Sequence, residues 1–294
     1  MKQTTLAKSV HGVGIGLHKG EPIKITLEPL EAGSGILFYR SDVGMLVKAA
    51  PHNVVNTQMA TVIGDGTHFI STIEHLLSAI YAYGIDNVRI VLDGAEVPVM
   101  DGSAASFCMM LDEAGVRKLE ATKQLLILKK EVEVSDGKKF ARVTPSLNPS
   151  YHFDIEFAHP SIGKQTHTFE FSKKNFIEEI ARARTFGFLK DVQMLRSRGL
   201  ALGGSLDNAV VMDDTKILNP EGLRFSNEFV RHKILDAIGD LSLLGAPFVG
   251  NYASYAGSHN LNHELTKAIL QDPSNYEIKA LSQETAHMAE KVFA

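Results

Sequence analysis

The segment Val230-Arg231-His232-Lys233-Ile234-Leu235-Asp236-Ala237-Ile238-Gly239-Asp240-Leu241 leaves a helix almost no face to turn toward water. Apart from Arg231 and Lys233, everything around His232, Asp236 and Asp240 is apolar or small. A helix that is apolar nearly all round belongs inside the protein, and this one takes an imidazole and two carboxylates in with it. Residues four apart on a helix lie one above the other, separated by roughly 6 Å of rise, so His232 and Asp236 project together. Buried carboxylates are costly unless paired or bound to a metal. Two readings compete for the HxxxD pair, a metal site and a buried hydrogen-bonded pair, and metal ligation leads.

At 294 residues the chain can bury one large core or two medium ones. Hydrophobic content of 44% and charged content of 22% describe an ordinary globular protein. A net charge of -4 gives no reason to expect a nucleic-acid or membrane-surface partner. The single cysteine, Cys108, excludes an internal disulfide and fits a reducing, cytoplasmic setting; its mostly apolar neighbours mark it as a core residue. No apolar run is long enough to span a membrane, and Met1-Lys2-Gln3-Thr4-Thr5 lacks the apolar region of a signal peptide. Any lipid is therefore expected in a pocket or groove, and the default expectation for oligomeric state is a monomer.

The first half is strand-rich, with Ile23–Leu27 alternating and Gly35–Arg40 following it. A helix then opens on Ser71-Thr72-Ile73-Glu74, which has capping-box spacing, and closes at Gly84. Its apolar stripe is Ile73, Leu76, Leu77 and Ile80, and the small residues of its second face predict a closely packed neighbouring helix. A strand over Asn87–Leu92 and a helix from about Ala104 to Ala114 follow. Residues 117–130 are charged and read as a connector. The second half predicts a hairpin from Ile127–Val134 through Ser135-Asp136-Gly137 to Phe140–Val143, then strands Tyr151–Phe157 and Thr166–Phe171 and a helix from about Lys174. An inserted short helix and strand occupy Phe188–Val211; the HxxxD helix and a strand Phe248–Tyr255 complete the unit. His75-Leu76-Leu77-Ser78-Ala79-Ile80 lies over Lys233-Ile234-Leu235-Asp236-Ala237-Ile238 as a weak internal echo. The expected fold class is α+β, a duplicated unit with helices packed between two sheets, divided as residues 1–120 and 121–294.

His75, on the first helix, would join His232 and Asp236 as a third protein ligand and leave a fourth zinc position for water, which is a catalytic rather than a structural arrangement. Read alone, Glu74 is a capping residue and His75 an interhelical donor. Beside a metal, Glu74 becomes a candidate general base that stays ionised to fairly low pH. His259, on the turn Tyr255-Ala256-Gly257-Ser258-His259-Asn260, is a solvated loop histidine unless a metal and a buried aspartate lie near, when it is a candidate general acid. Gly12-Val13-Gly14-Ile15-Gly16 resembles a nucleotide loop, but no helix pattern follows and a strand bend is the better reading. His11, His52, His68, His152, His167, His263 and His287 show no partner pattern and are read as surface or hydrogen-bonded residues.

Thr72-Ile73-Glu74-His75-Leu76-Leu77-Ser78-Ala79, Pro98-Val99-Met100-Asp101-Gly102-Ser103-Ala104, Arg182-Ala183-Arg184-Thr185-Phe186-Gly187-Phe188 and His232–Asp240 together resemble the UDP-3-O-acyl-N-acetylglucosamine deacetylases. The resemblance runs from about Thr5 to Leu270. It implies the committed, zinc-dependent step of lipid A synthesis in Gram-negative bacteria, with Zn²⁺ (or Fe²⁺) on His75, His232 and Asp236. It further implies Glu74 as general base, His259 as general acid with Asp240 behind it, and Thr185 as donor to the oxyanion. Phe186 would lie against the sugar, Lys233 would meet the diphosphate, and the insert 188–206, a βαβ-like element, would form an acyl-chain passage lined by Val192 and Ala201. The implied fold is two similar domains whose β-sheets enclose a central layer of helices, a β-α-α-β sandwich. Ala256 stands where some relatives place a phosphate-contacting lysine. Two other readings stay in play: a binding protein without catalysis, against which Glu74 and His259 argue, and a zinc hydrolase of unacylated sugars, against which the apolar insert argues.

Overall fold

The computed structural model describes residues 1–281; the expectation for His287 lies outside them. Two five-stranded sheets form the outer layers. In the first the order is Val10–Ile15, Pro22–Pro29, Val88–Leu92, Ile36–Arg40, Met45–Lys48. In the second it is Val132–Asp136, Lys139–Thr144, Asn251–Tyr255, Ser150–Phe157, Gly163–Glu170. The topology repeats: in each sheet the last strand of the chain enters the middle, antiparallel to the second strand and parallel to the third. The duplication hinted at by the short echo is thus a property of the whole connectivity.

The longer helices among the described residues are α1 (Glu74–Ala82), α2 (Ala105–Ala114), α3 (Leu189–Ser197), α4 (Glu228–Leu241) and α5 (His259–Gln271), and a short helical stretch, Lys173–Asn175 and Phe176–Ile180, lies where a helix from about Lys174 is expected. In each unit a helix, α1 or α4, precedes the central strand, and these two lie against each other between the sheets. All of α1 is buried, and in α4 only Arg231 and Lys233 escape full burial. The side chains of Tyr151, Phe153, Phe169 and Tyr252 close the second sheet over the core, with Tyr151 5.6 Å from Tyr252 and 6.4 Å from Phe169. Each such pair adds about 0.5–1.5 kcal/mol beyond the area it buries.

The helices meet most closely at Gly239, where a Cβ would lie 2.0 Å from the backbone carbonyl oxygen of Glu74. No side chain fits there, and the residue it would displace begins α1. Between the fourth strand and the helix, each unit carries an insertion. The first has the small sheet of Val54–Asn56, Val62–Gly64 and Phe69–Ile70. The second has the parallel pair Phe186–Phe188 and Val210–Met212, joined across by α3, which is the βαβ element expected there.

Several local expectations fail. The supposed connector 117–130 is built into two strands, Val116–Thr122 paired with Lys2–Leu6 and Gln124–Leu128 paired with Tyr276–Ala280. Ile127 therefore belongs to a different sheet from the hairpin, which starts only at Val132. Phe248–Tyr255 breaks at Gly250, where a Cβ would meet Leu128 Cδ1 at 2.4 Å, and its two pieces join different sheets. Val10–Ile15 is an unbroken strand in regular register with Pro22–Leu27, and no bend interrupts it. No capping box forms either. The helix starts at Glu74 itself, and Thr72 takes φ 60°, a left-handed conformation that costs a non-glycine residue about 1–2 kcal/mol.

Candidate metal and acid–base centre

The positions α1 and α4 assign to their polar side chains bring His75, His232 and Asp236 together, one potential ligand atom from each lying within 4.8 Å of the others. His232 Nε2 is 3.3 Å and His75 Nε2 3.6 Å from Asp236 Oδ1. The His232 Nδ1–H donates to the Ala183 carbonyl at 3.0 Å, so its Nε2 keeps the lone pair. Asp236 Oδ1 is buried without a hydrogen-bond partner, as is His75 Nδ1. A buried carboxylate oxygen that accepts nothing, facing two imidazole nitrogens, is an arrangement that could hold a cation. Two nitrogens and a carboxylate oxygen are a donor set that suits zinc or ferrous iron.

Electrostatics prepare these groups for that use. Burial pushes His232 down to about 3 against the pull of Asp236, so the ring is neutral. Burial works against the Asp236 carboxylate, but His232 and the Lys233 ammonium hold it well below the usual range. Lys233 Nζ is 2.7 Å from Asp236 Oδ2 and 5.9 Å from the centre of the Phe186 ring.

Beside this cluster lies a second one. His259 Nδ1 donates to Asp240 Oδ2 at 2.9 Å, and its Nε2 lies 3.7 Å from Glu74 Oε1. Asp240 also accepts from Asn262 Nδ2 at 2.8 Å and from Thr61 Oγ1 at 2.5 Å, while Tyr252 donates its hydroxyl proton to Asn262 Oδ1 at 2.7 Å. Burial opposes the His259 cation, yet Asp240 and Glu74 raise it to about 9. Burial raises the Glu74 carboxyl against the pull of His259. Its Oε2 accepts the Thr61 N–H at 3.1 Å. Thr61 thus bridges Glu74 and Asp240, the partner of His259. Sequence reading missed it and Asn262, because neither position carries a spacing signal.

Thr185 and Phe186 stand at the junction of two cavities. One, of about 480 Å³, is mainly apolar and is lined by Val192, Leu195, Ala201, Leu17 and Phe188. The other, of about 410 Å³, is lined by His232, Lys233, Phe157, Ser258 and Lys139. Thr185 is held by its N–H to the Gly102 carbonyl at 2.8 Å, and the Phe186 ring meets that of His232 edge-on at 6.3 Å. Lys139 reaches this second cavity from the strand beside Ala256, so a cation is present although Ala256 offers none. The structure places the residues singled out from the sequence as follows: Glu74, His75, His232, Asp236 and Asp240 are buried, with the partly exposed His259 against Glu74 and Asp240; Thr185, Phe186 and Lys233 line the neighbouring cavity, and Val192 and Ala201 line the apolar one.

Comparison with known proteins follows the same lines. Residues 3–271 match the family model described as UDP-3-O-acyl N-acetylglycosamine deacetylase. Over 294 residues, all of both chains, the protein is 70% identical to the UDP-3-O-acyl-N-acetylglucosamine deacetylase of Campylobacter fetus subsp. fetus (strain 82-40). Over the same full lengths it is 67% identical to that of Campylobacter jejuni subsp. jejuni serotype O:2 and 65% identical to that of Campylobacter hominis. With the match covering nearly the whole chain, the protein belongs to the UDP-3-O-acyl N-acetylglycosamine deacetylase family.

Proposed function

We propose that the protein hydrolyses the N-acetyl amide of UDP-3-O-acyl-N-acetylglucosamine, releasing acetate and the free amine, as the committed step of lipid A synthesis. One observation carries this reading: His232 of the His75–His232–Asp236 cluster lines a lysine-bearing cavity that meets an apolar cavity at Thr185 and Phe186. An amide flanked by a diphosphate on one side and an acyl chain on the other matches that division. His75, His232 and Asp236 would hold Zn²⁺, or Fe²⁺ in its place. Bound there, the metal would supply a Lewis acid that polarises the amide carbonyl and acidifies water.

The chain's own groups carry the protons. Glu74, with its basicity raised by burial, removes a proton from the attacking water. His259, cationic up to about pH 9, protonates the departing amine nitrogen, which leaves poorly otherwise. The Thr185 hydroxyl donates to the oxyanion that develops on the acetyl carbon's oxygen. Phe186 supplies a face for the sugar, and Lys233 and Lys139 face the diphosphate. No helix among the described residues is long and apolar enough to cross a membrane, and a cytoplasmic setting fits the single buried thiol of Cys108.

The test is acetate release from the UDP-acyl sugar with and without chelator. Stoichiometric acetate, abolished by chelation and restored by Zn²⁺, is expected; release that ignores the chelator would remove the metal from the scheme. The insert supplies a second expectation. Ala201 sits at φ 53° in the apolar cavity, so Ala201→Gln should raise KM for a long-chain substrate by about tenfold, the effect of a polar amide buried without a partner. A short-chain analogue should keep its KM. Equal rises for both would place the acyl chain elsewhere.

A further inference from the structure

The glycine run Gly12-Val13-Gly14-Ile15-Gly16 and the left-handed Thr72 converge on a buried side chain for which the proposed chemistry has no use, Glu96. The residue is 2% exposed. Thr72 Oγ1 donates to Glu96 Oε1 at 3.1 Å, and the His18 N–H lies 3.1 Å from both carboxylate oxygens. On either side the backbones are tied as well, Ser71 N–H to the Ala95 carbonyl and Val97 N–H to the Ser71 carbonyl, each at 3.0 Å. A Cβ at Gly16 would lie 2.6 Å from Glu96 Oε2. The last glycine of the run therefore makes room for an acid, and no phosphate is needed to explain it.

Both partners of Glu96 lead to the site. Thr72 immediately precedes Ile73 and then Glu74 and His75, so its φ of 60° sets the direction in which α1 starts. His18 and Leu17 wall the apolar cavity, and their carbonyls accept from the insert, Leu202 N–H at 3.1 Å and Gly203 N–H at 3.0 Å. A carboxylate is suited to such a post, because hydrogen bonds to an ionised acceptor are about twice as strong as neutral ones.

We infer that Glu96 is a positioning residue that ties the start of the catalytic helix to the wall of the acyl-chain passage, its carboxylate holding both Thr72 in its strained conformation and the His18 loop. The inference rests on the proposed deacetylation for its kinetic consequences but not for the clamp itself. Each function then depends on a different partner. Loss of the Thr72 contact lets the start of α1 relax and lowers kcat; loss of the His18 contact loosens the passage and raises KM for long acyl chains.

The experiment uses the full chain loaded with Zn²⁺ and compares Glu96→Ala, Glu96→Gln and Glu96→Ala/Thr72→Gly. Glu96→Ala should lower kcat about tenfold or more and raise KM for the long-chain substrate, the loss expected for hydrogen bonds to a charged group. Glu96→Gln, which keeps one acceptor oxygen, should fall between, and it carries the comparison if Glu96→Ala does not fold. Glycine adopts positive φ without strain, so adding Thr72→Gly should recover most of kcat while KM stays raised. A merely structural Glu96 predicts the reverse, since an added glycine only loosens the chain further. Wild-type kcat and KM in Glu96→Ala, or a double variant no faster than Glu96→Ala, overturns the inference. Hydrogen exchange at the His18 amide, measured without substrate, reads the clamp directly. It should speed up about tenfold or more in Glu96→Ala, and unchanged protection sinks the clamp. Lost protection in a protein whose wild type releases no acetate would sink the deacetylase reading and leave the clamp standing.

Discussion

Asp236→Ala and His75→Ala should each purify with almost no bound metal and lose nearly all activity, with metal affinity down by orders of magnitude. Each removes one of the three candidate donors, and among the described residues no other His, Cys, Asp or Glu joins the cluster. Asp236→Ala does further damage, since Lys233, 2.7 Å from Oδ2, loses the carboxylate that holds its charge at the rim of the core. Elemental analysis after dialysis is the deciding measurement, and metal content equal to wild type in either variant would refute the site. A second readout is thermal. Because a ligand that binds only the folded state stabilises it by mass action, Zn²⁺ should raise the melting temperature of the metal-free wild type and leave that of Asp236→Ala unmoved. Removing the metal leaves Asp236 Oδ1 buried and without a partner, so the metal-free protein starts from a penalised state.

The next largest effects are expected at the proton-transfer pair. Glu74→Gln and His259→Gln should each lower kcat by ~10² or more with metal content intact, in line with general acid–base contributions. The pH profile of kcat/KM should be bell-shaped. The sign at the alkaline side follows from His259: its ordinary value of 6.5 is raised to about 9, so the acid form persists below that and the rate falls as pH rises through it. Asp240 leads the influences that raise it, against burial. Asp240→Asn should accordingly draw the alkaline limb down toward 6.5, leaving the enzyme slow at pH 8 where the wild type still keeps most of its His259 protonated. On the acid side Glu74 must be ionised, and burial raises its carboxyl, so the limb should lie above the range of a solvated glutamate. A His259→Gln enzyme with wild-type kcat and an unmoved alkaline limb would mean that His259 is not the acid.

The candidate ligands stood out in the sequence because burial and polarity conflict there. A helix such as α4, apolar except at His232, Asp236 and Asp240, states its problem without a structure. The same holds for the duplicated architecture, whose second copy repeats helix followed by central strand. Thr61 was not legible, since a threonine in a short strand region is ordinary and its two bonds, to Glu74 and to Asp240, exist only in three dimensions. Glu74 shows a different failure. Its spacing from Ser71 satisfies the capping-box rule, but the left-handed turn at Thr72 takes Ser71 away from the helix axis and frees the carboxylate for His259 and Thr61. The misplaced hairpin at Ile127 has a third cause. Apolar runs such as Leu125–Leu128 fit either neighbouring sheet, and the choice is made by partners far along the chain at Phe248–Val249 and Tyr276–Ala280.

Gly239 bears on how such an enzyme can change over generations. The backbone of the residue that begins α1 lies where any side chain at position 239 would have to be, and twelve of the fourteen residues of α4 are buried. Ligands and packing residues alternate along that helix, so a substitution that touches no substrate disturbs the same few atoms as one at a ligand. A mutational survey of α4 should find no boundary between residues kept for folding and residues kept for chemistry. Tolerance to change should lie instead in the insert around α3, where side chains face a cavity rather than a neighbouring helix. Lineages of this fold would then diversify in which acyl chain they accept while the reaction itself stays fixed.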